Sequence, residues 1–306
     1  MSRLVAVTGA TGFVGSHLVS ALARRGFRLR LLIRRWKPLP PLAGVEAEIV
    51  LGDLSDEAAL GRLVAGVDAV VHAGALIKAR RPADFHRVNA DGTARVAKYA
   101  GDTPFVLLSS LAAREPLLSP YAASKRAAEE AVVGRGIAVR APAVYGPGDR
   151  ETLTYFKAVA RGIAPQPRLP GARLSLIHVA DLAEALALAV DRPPTPGIYE
   201  VDDGREDGYG YGDMAAAAGL ALGRASRTLT LPRPVMAGVA ALNGLLQTLG
   251  GPTQILSSGK VAELFHGDWT IHDRRLAALS GFVPRFDLAA GFRDTVGWYR
   301  RHAWLR

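Results

Sequence analysis

The chain of 306 residues contains no cysteine. That absence excludes disulfides, thiolate metal sites and a cysteine nucleophile. No apolar run reaches the roughly 20 residues that a membrane-spanning helix needs. Met1-Ser2-Arg3 runs straight into an apolar segment, so no secretory leader is read and a cytoplasmic location is expected. No pair of His or carboxylate residues has metal-ligand spacing, and no metal is expected. No internal repeat is visible. Lysine is scarce, six of the 38 basic residues, so arginine carries most of the net charge of +10. The arginines are dispersed in pairs such as Arg24-Arg25, Arg80-Arg81 and Arg300-Arg301. No basic run interleaved with aromatics appears, which speaks against a nucleic-acid partner. The charge also suits an anionic cofactor.

Apolar residues make up 49% of the chain, enough for a large core. Over the first 145 residues, apolar strand candidates (3–8, 28–33, 46–51, 68–73, 104–110, 137–141) alternate with helical patterns (13–25, 56–65, 83–100, 121–134). Such alternation predicts an α/β fold: a doubly wound, mostly parallel Rossmann-type sheet with helices on both faces. A strand candidate returns at 173–178, followed by a helix at 180–190 and an edge strand near Gly197–Val201. The expected division is therefore a dinucleotide-binding domain, 1–150 with 173–202, and a smaller, mainly helical substrate lobe, 151–172 with 203–306. In that lobe, residues 235–249 are strongly apolar but interrupted by Asn243 and Gln247. They read as a helix packed inside the lobe, with a membrane-surface or substrate-lid helix as the alternative. The polar face carries too little charge to favour a membrane-surface helix. Phe265-His266-Gly267-Asp268-Trp269 reads as a packed helix end, with a place in the wall of the substrate pocket as the alternative.

Three elements carry chemistry. Thr8-Gly9-Ala10-Thr11-Gly12-Phe13-Val14-Gly15 follows the apolar run Leu4–Val7 and opens a helix. A strand, a glycine turn and a helix N-terminus form a pyrophosphate site. The spacing is Gly-x-x-Gly-x-x-Gly rather than the commoner Gly-x-Gly-x-x-Gly. Next, Tyr121 and Lys125 stand four residues apart on a helix, which puts both on one face. A free phenol has a pKa near 10; an adjacent ammonium favours the phenolate and makes proton transfer feasible at neutral pH. Finally, Val106–Leu108 is an apolar strand ending in Ser109-Ser110, whose hydroxyls face the ligand crevice.

The order of these elements resembles the short-chain dehydrogenase/reductase superfamily. The likeness is to its extended or a related atypical branch, epimerase/dehydratase-like and dihydroflavonol-reductase-like. Further motifs extend the resemblance over residues 3–202: Gly52-Asp53-Leu54, Val71-His72-Ala73-Gly74-Ala75, Val88-Asn89 to Thr93, Arg140-Ala141-Pro142-Ala143-Val144-Tyr145-Gly146-Pro147 and Ile177-His178-Val179-Ala180-Asp181. The resemblance implies Tyr121 as general acid-base, Lys125 holding the ribose and tuning the tyrosine, and Ser110, preferred to Ser109, orienting the substrate oxygen. It implies cofactor contacts at Gly9, Thr11, Gly12, Phe13, Val14 and Gly15; at Asp53, Leu54, Ala73, Gly74 and Ala75; and at Lys125, Pro142 and Val144. Asn89 either joins them or supports the lysine and its helix. The helices 83–100 and 121–134 imply a homodimer. His72 and His178, at strand ends, read as structural. The loop between Ser110 and Tyr121 is short and lacks an Asp-Glu dyad, which disfavours water elimination.

The end of the second strand candidate reads Ile33-Arg34-Arg35-Trp36-Lys37, with no carboxylate. Arginine accommodates the 2′-phosphate of NADP, whereas an acidic residue there binds the NAD ribose. NADP(H) is thus preferred, through Arg34 with Arg35 or Lys37 assisting, and NAD(H) is the alternative. The expected activity is reduction of a small-molecule ketone or aldehyde, or oxidation of the alcohol. The alternatives are a nucleotide-sugar epimerase, with Arg161, Arg168, Arg173 or Arg205 as the diphosphate anchor, and a catalytically idle dinucleotide-binding subunit.

Overall fold

The structure is a computed structural model that describes residues 2–35, 45–248 and 256–305. Lys37 lies outside the described residues. In chain order the elements are β1 (Leu4–Thr8), α1 (Phe13–Arg24), β2 (Arg28–Ile33), β3 (Ala47–Leu51), α2 (Glu57–Val64) and β4 (Ala69–His72). Then come α3 (Pro82–Phe85), α4 (Asp91–Ala100), β5 (Phe105–Ser110), α5 (Pro120–Glu130), β6 (Ile137–Ala141), β7 (Ala143–Tyr145), α6 (Leu153–Ala160) and β8 (Ile163–Pro167). They are followed by β9 (Arg173–Leu174), β10 (Leu176–His178), α7 (Val179–Asp191), β11 (Gly197–Glu200), α8 (Tyr211–Leu222) and β12 (Arg227–Leu231). Last are α9 (Arg233–Thr248), α10 (Ser258–Leu264), β13 (Asp268–Trp269), α11 (Arg275–Ser280) and α12 (Leu288–Arg301).

Two compact units result. The first comprises Met1–Ala141, Ala180–Val201 and His272–Val283. Its seven-stranded sheet runs β11-β6-β5-β4-β1-β2-β3, and every pairing is parallel. A parallel sheet covered on both faces needs nearly continuous apolar strands. β1 and β4 comply, being buried at every position. The order reverses direction between β1 and β4, and ligand crevices in such sheets open there, beyond the strand C-termini. Helix starts follow local chemistry. Asp56 caps α2 by accepting from Ala59 N–H, and Ser119 caps α5 by accepting from Ala122 N–H, with Pro120 in the first turn.

The second unit comprises Pro142–Val179, Asp202–Ile271 and Pro284–Arg306. Residues 142–150 and 173–179, expected with the large sheet, belong here because β7 pairs with β10. The predicted strand 173–178 is two strands, β9 and β10, with separate partners. Residues 272–283, expected in the lobe, belong to the first unit. There the Glu200 carboxylate at the end of β11 accepts from His272 N–H at 2.8 Å. The second core is aromatic: Phe292 meets Tyr145 and Phe156 edge-on at 5.0 and 4.9 Å between centroids. A Cβ on Gly291 would lie 2.2 Å from the Tyr145 hydroxyl, so only glycine lets α12 approach that ring.

Residues 235–248 are helical as predicted, but the packing is inside out. Met236, Asn243 and Gln247 are half-buried and Ala240 is buried, whereas Val235, Val239, Leu242 and Leu246 are exposed. Helical periodicity was legible; which stripe finds a neighbour was not.

Candidate active site

The glycine motif folds into a turn between β1 and α1. Gly9 has φ +74°, and a Cβ there would sit 2.6 Å from the backbone of Ala73 and Gly74. Gly12 N–H donates to Gly9 O at 2.9 Å. Gly12 caps α1 with no side-chain hydrogen bond, leaving the first-turn N–H groups for an anion. A Cβ on Gly15 would lie 1.9 Å from Gly9 O, so that glycine allows the helix to close on the turn. Thr11 is exposed, and Phe13 and Val14 open α1 half-exposed.

The neighbouring strand ends surround this turn. Arg34 and Arg35 follow β2 and are exposed. Asp53 follows β3; its carboxylate accepts from Ser55 N–H and Oγ at 2.7 and 2.6 Å. The Ser55 bonds, then the Asp56 N–H and last the Arg34 charge, hold the Asp53 carboxyl below its usual range. Leu54 packs against α4, where a Cβ on Gly92 would come within 3.0 Å of its Cδ1. After β4, Ala73 N–H donates to Thr8 O, and Gly74 N–H donates to Thr8 Oγ1 at 3.3 Å. Ala75 is exposed. His72 is buried, and its Nδ1 is 2.6 Å from Thr8 Oγ1. Burial, helped by the Lys125 charge, lowers its pKa to about 3, so the ring stays neutral.

Tyr121 and Lys125 lie in the first two turns of α5, and the Tyr121 ring meets Phe85 edge-on at 5.9 Å. Lys125 is buried and donates to Leu108 O at 2.6 Å. Desolvation lowers its pKa to about 8, opposed by Glu129 one turn further on. Asn89 lies in a π-helical turn, His86–Ala90, between α3 and α4. Its Oδ1 accepts from Leu76 N–H at 2.7 Å, and its Nδ2 donates to Leu76 O and Ser124 Oγ at 3.0 Å each. Asn89 therefore clamps the loop after β4 to the residue beside Lys125. These three bonds of its amide all go to protein groups.

The two serines at the end of β5 point to opposite faces, as strand geometry requires. Ser109 is buried and donates to Glu129 Oε1 at 2.6 Å. Ser110 is half-buried and, among the described residues, accepts only a local bond, from Ala112 N–H at 3.2 Å, at the head of a 3₁₀ turn, Leu111–Arg114. Glu129 is fully buried and forms a bidentate pair with Arg140 at 2.7 and 2.8 Å. Arg140 also lies 3.8 Å from Glu200, which lies 3.8 Å from Arg114. Sequence reasoning missed this network. The one local signal was the four-residue step from Lys125 to Glu129; the other partners are distant in the chain.

Pro142 and Val144 lie in the second unit, just before and within β7. His178 packs there against Tyr145 and Phe286, at 5.5 and 4.0 Å between centroids. Two of the arginines considered as diphosphate anchors are engaged: Arg173 pairs with Asp213 at 3.7 Å, and Arg205 lies over the Tyr209 ring. Trp269 donates to Glu263 O at the end of α10.

Residues 5–202 match the family described as the NAD dependent epimerase/dehydratase family. The chain belongs to this family. A ceramide reductase of Caulobacter vibrioides is 43% identical over 99% of this chain and 96% of its own. A ketoreductase of Stigmatella aurantiaca acting on a 4-hydroxy-2-methyl-3-oxo-4-farnesyl-3,4-dihydroquinoline-1-oxide is 32% identical over 65% of this chain and 67% of its own. The solved structure of MoeE5 with UDP-glucose and NAD has the same fold, with TM-score 0.72 and 24% identity over 99% of this chain and 100% of that one. The epimerase/dehydratase-family chain is thus an NAD(P)-dependent oxidoreductase of the short-chain dehydrogenase/reductase type. Its residues fit a dinucleotide. At Gly9 and Gly15 a Cβ would collide with backbone, and the uncapped N-terminus of α1 opens beside them.

Proposed function

We propose that this protein reduces a ketone on a ceramide-type lipid, with NADPH as the reductant. The observation that carries the reading is the division of labour at the end of β5. Ser109 is committed to buried Glu129, while Ser110 keeps its hydroxyl for a ligand beside the helix of Tyr121 and Lys125. The 43% identity to a ceramide reductase over almost the whole of both chains supports the substrate class.

Gly9, Gly12, Gly15 and the first turn of α1 would hold the pyrophosphate, with Ala73, Gly74, Asp53 and Leu54 flanking the adenosine half. Arg34 and Arg35 would meet the 2′-phosphate; they directly follow β2, where no carboxylate stands. When bound, the nicotinamide supplies the hydride. The protein supplies the rest of the chemistry. Ser110 Oγ–H donates to the substrate oxygen and orients the carbonyl. Tyr121 protonates that oxygen as it gains negative charge. Lys125 keeps a positive charge near the phenol, which makes it more acidic and stabilises the phenolate left after the proton has gone; water then returns a proton to Tyr121 before the next turnover. Leu108 O fixes the ammonium, and Asn89 holds the turn of α5 beside it.

The test is NADPH consumption with a keto-ceramide dispersed in detergent, run beside NADH and beside sugar nucleotides. Turnover of the keto-lipid with NADPH at least tenfold faster than with NADH is expected. Epimerised sugar nucleotide without net cofactor change, or no turnover of any carbonyl, overturns the reading.

A further inference from the structure

Among the described residues of the second unit, every strongly exposed large aliphatic side chain is Ile163 or falls between Leu220 and Leu246. Most of them lie on α9. Val235, Val239, Leu242 and Leu246 follow a 4-3-4 spacing that puts them on one face. Each is 47–55% exposed. α10 packs against α9, and Asn243, on the stripe away from these four, donates to Leu256 O just before α10 at 3.2 Å. A 16-residue helix with an aliphatic face toward solvent is costly in water unless something covers it.

The charges that flank α9 in the chain say what covers it. From Met214 to Ala262 the chain contains no Asp or Glu, but Arg224, Arg227, Arg233 and Lys260. Lys260 is paired with Glu263. Arg224, Arg227 and Arg233 are exposed, and Arg233 is the first residue of α9. The cations missing from the helix face are supplied by the segment that leads into it. A second copy meeting this face about a two-fold axis would set arginine against arginine. An anionic surface of hydrocarbon and phosphate satisfies both features at once.

We propose that α9 and its arginine-bearing approach dock the protein on the surface of an anionic lipid bilayer. Val235, Val239, Leu242 and Leu246 enter the interfacial region, and Arg224, Arg227 and Arg233 meet lipid phosphates. This is surface attachment: among the described residues no helix is long and apolar enough to cross a membrane. The inference stands on α9 and its charges, independently of the substrate.

Vesicle flotation of the full chain, without cofactor or substrate, tests it. Each arginine near an anionic surface is worth about fivefold in partitioning. Binding to phosphatidylglycerol-containing vesicles is therefore expected to exceed binding to pure phosphatidylcholine at least tenfold, and to weaken at high salt. Leu242→Glu with Leu246→Glu should abolish flotation, and Arg227→Glu with Arg233→Glu should weaken it at least tenfold. Both variants alter exposed side chains, so NADPH turnover of a detergent-dispersed carbonyl should stay within twofold of wild type. Equal binding to neutral and anionic vesicles, or flotation unaffected by L242E/L246E, overturns the proposal. So does a wild-type dimer that L242E/L246E dissociates and that ignores vesicles. Because no substrate is present, any of these failures leaves the proposed carbonyl reduction standing, and failed reduction leaves the docking standing.

Discussion

Glu129 in the first unit is a carboxylate with no solvent exposure, whereas Leu242 in the second is a hydrocarbon with 55% exposure. Each inverts the ordinary partition of side chains. The first unit tolerates its buried charge because every oxygen has a donor: Ser109 and both arms of Arg140. The second has no comparable internal answer for the outer face of α9. Buried, fully paired charge serves to hold a site in one geometry. Exposed hydrocarbon beside unopposed cations serves to meet something outside the molecule.

The contrast breaks if chemistry depends equally on both units, and the largest expected effect tests that. Tyr121→Phe should lower kcat by roughly a thousandfold, within the range for loss of a general acid, with NADPH affinity within about twofold. Stopped-flow turnover and a fluorescence titration of NADPH measure the two. Retained turnover would move the chemistry elsewhere.

Next comes the buried network. Glu129→Gln leaves Arg140 charged and under-compensated, which should cost about 3 kcal/mol of stability, read from urea unfolding. Leu242→Glu on α9 should cost less than about 0.5 kcal/mol in the same assay. Similar losses for the two would erase the distinction.

A smaller effect sharpens the cofactor reading. Arg34→Asp should raise KM for NADPH about tenfold and leave KM for NADH nearly unchanged. A parallel rise in both would reduce Arg34 to a surface charge.

The last effect is a slope, small at any pH near neutrality. His72 has its pKa lowered from 6.5 to about 3 by burial and by Lys125. Between those values the unfolded chain binds a proton that the folded chain does not, so stability falls as pH falls from 6.5 toward 3. The contribution is at most about 1.4 kcal/mol per pH unit. His72→Asn keeps an acceptor for Thr8 Oγ1 and should flatten the acid limb by that slope, measured by unfolding at successive pH values.

Much of the first unit was legible in the residues. The strands 28–33 and 137–141 and the glycine turn followed from local pattern, because parallel strands are apolar throughout and a tight turn at φ +74° favours glycine. The choice between Ser109 and Ser110 was only half legible. Strand alternation puts them on opposite faces, but which face held a buried carboxylate depended on Glu129, 20 residues away. Arg140 belonged to a recognisable motif, yet its pairing with Glu129 and its approach to Glu200 were invisible. Residues 235–248 were read correctly as a helix and incorrectly as one packed within the lobe. An apolar helix in a sequence says that hydrocarbon must be covered, not by what.

By itself, then, the chain determined what depends on near neighbours: the α/β alternation, the Gly9-Gly12-Gly15 turn, and the shared helical face of Tyr121 and Lys125. Backbone sterics and helical periodicity act over a few residues, so they can be read without knowing the rest of the molecule. Only the tertiary structure decided that Ser109 is occupied, that Lys125 is desolvated against Leu108 O, and that α9 presents leucine and valine to the outside. Those outcomes turn on which distant surfaces meet, and burial, unlike periodicity, belongs to the assembled fold rather than to any segment of it.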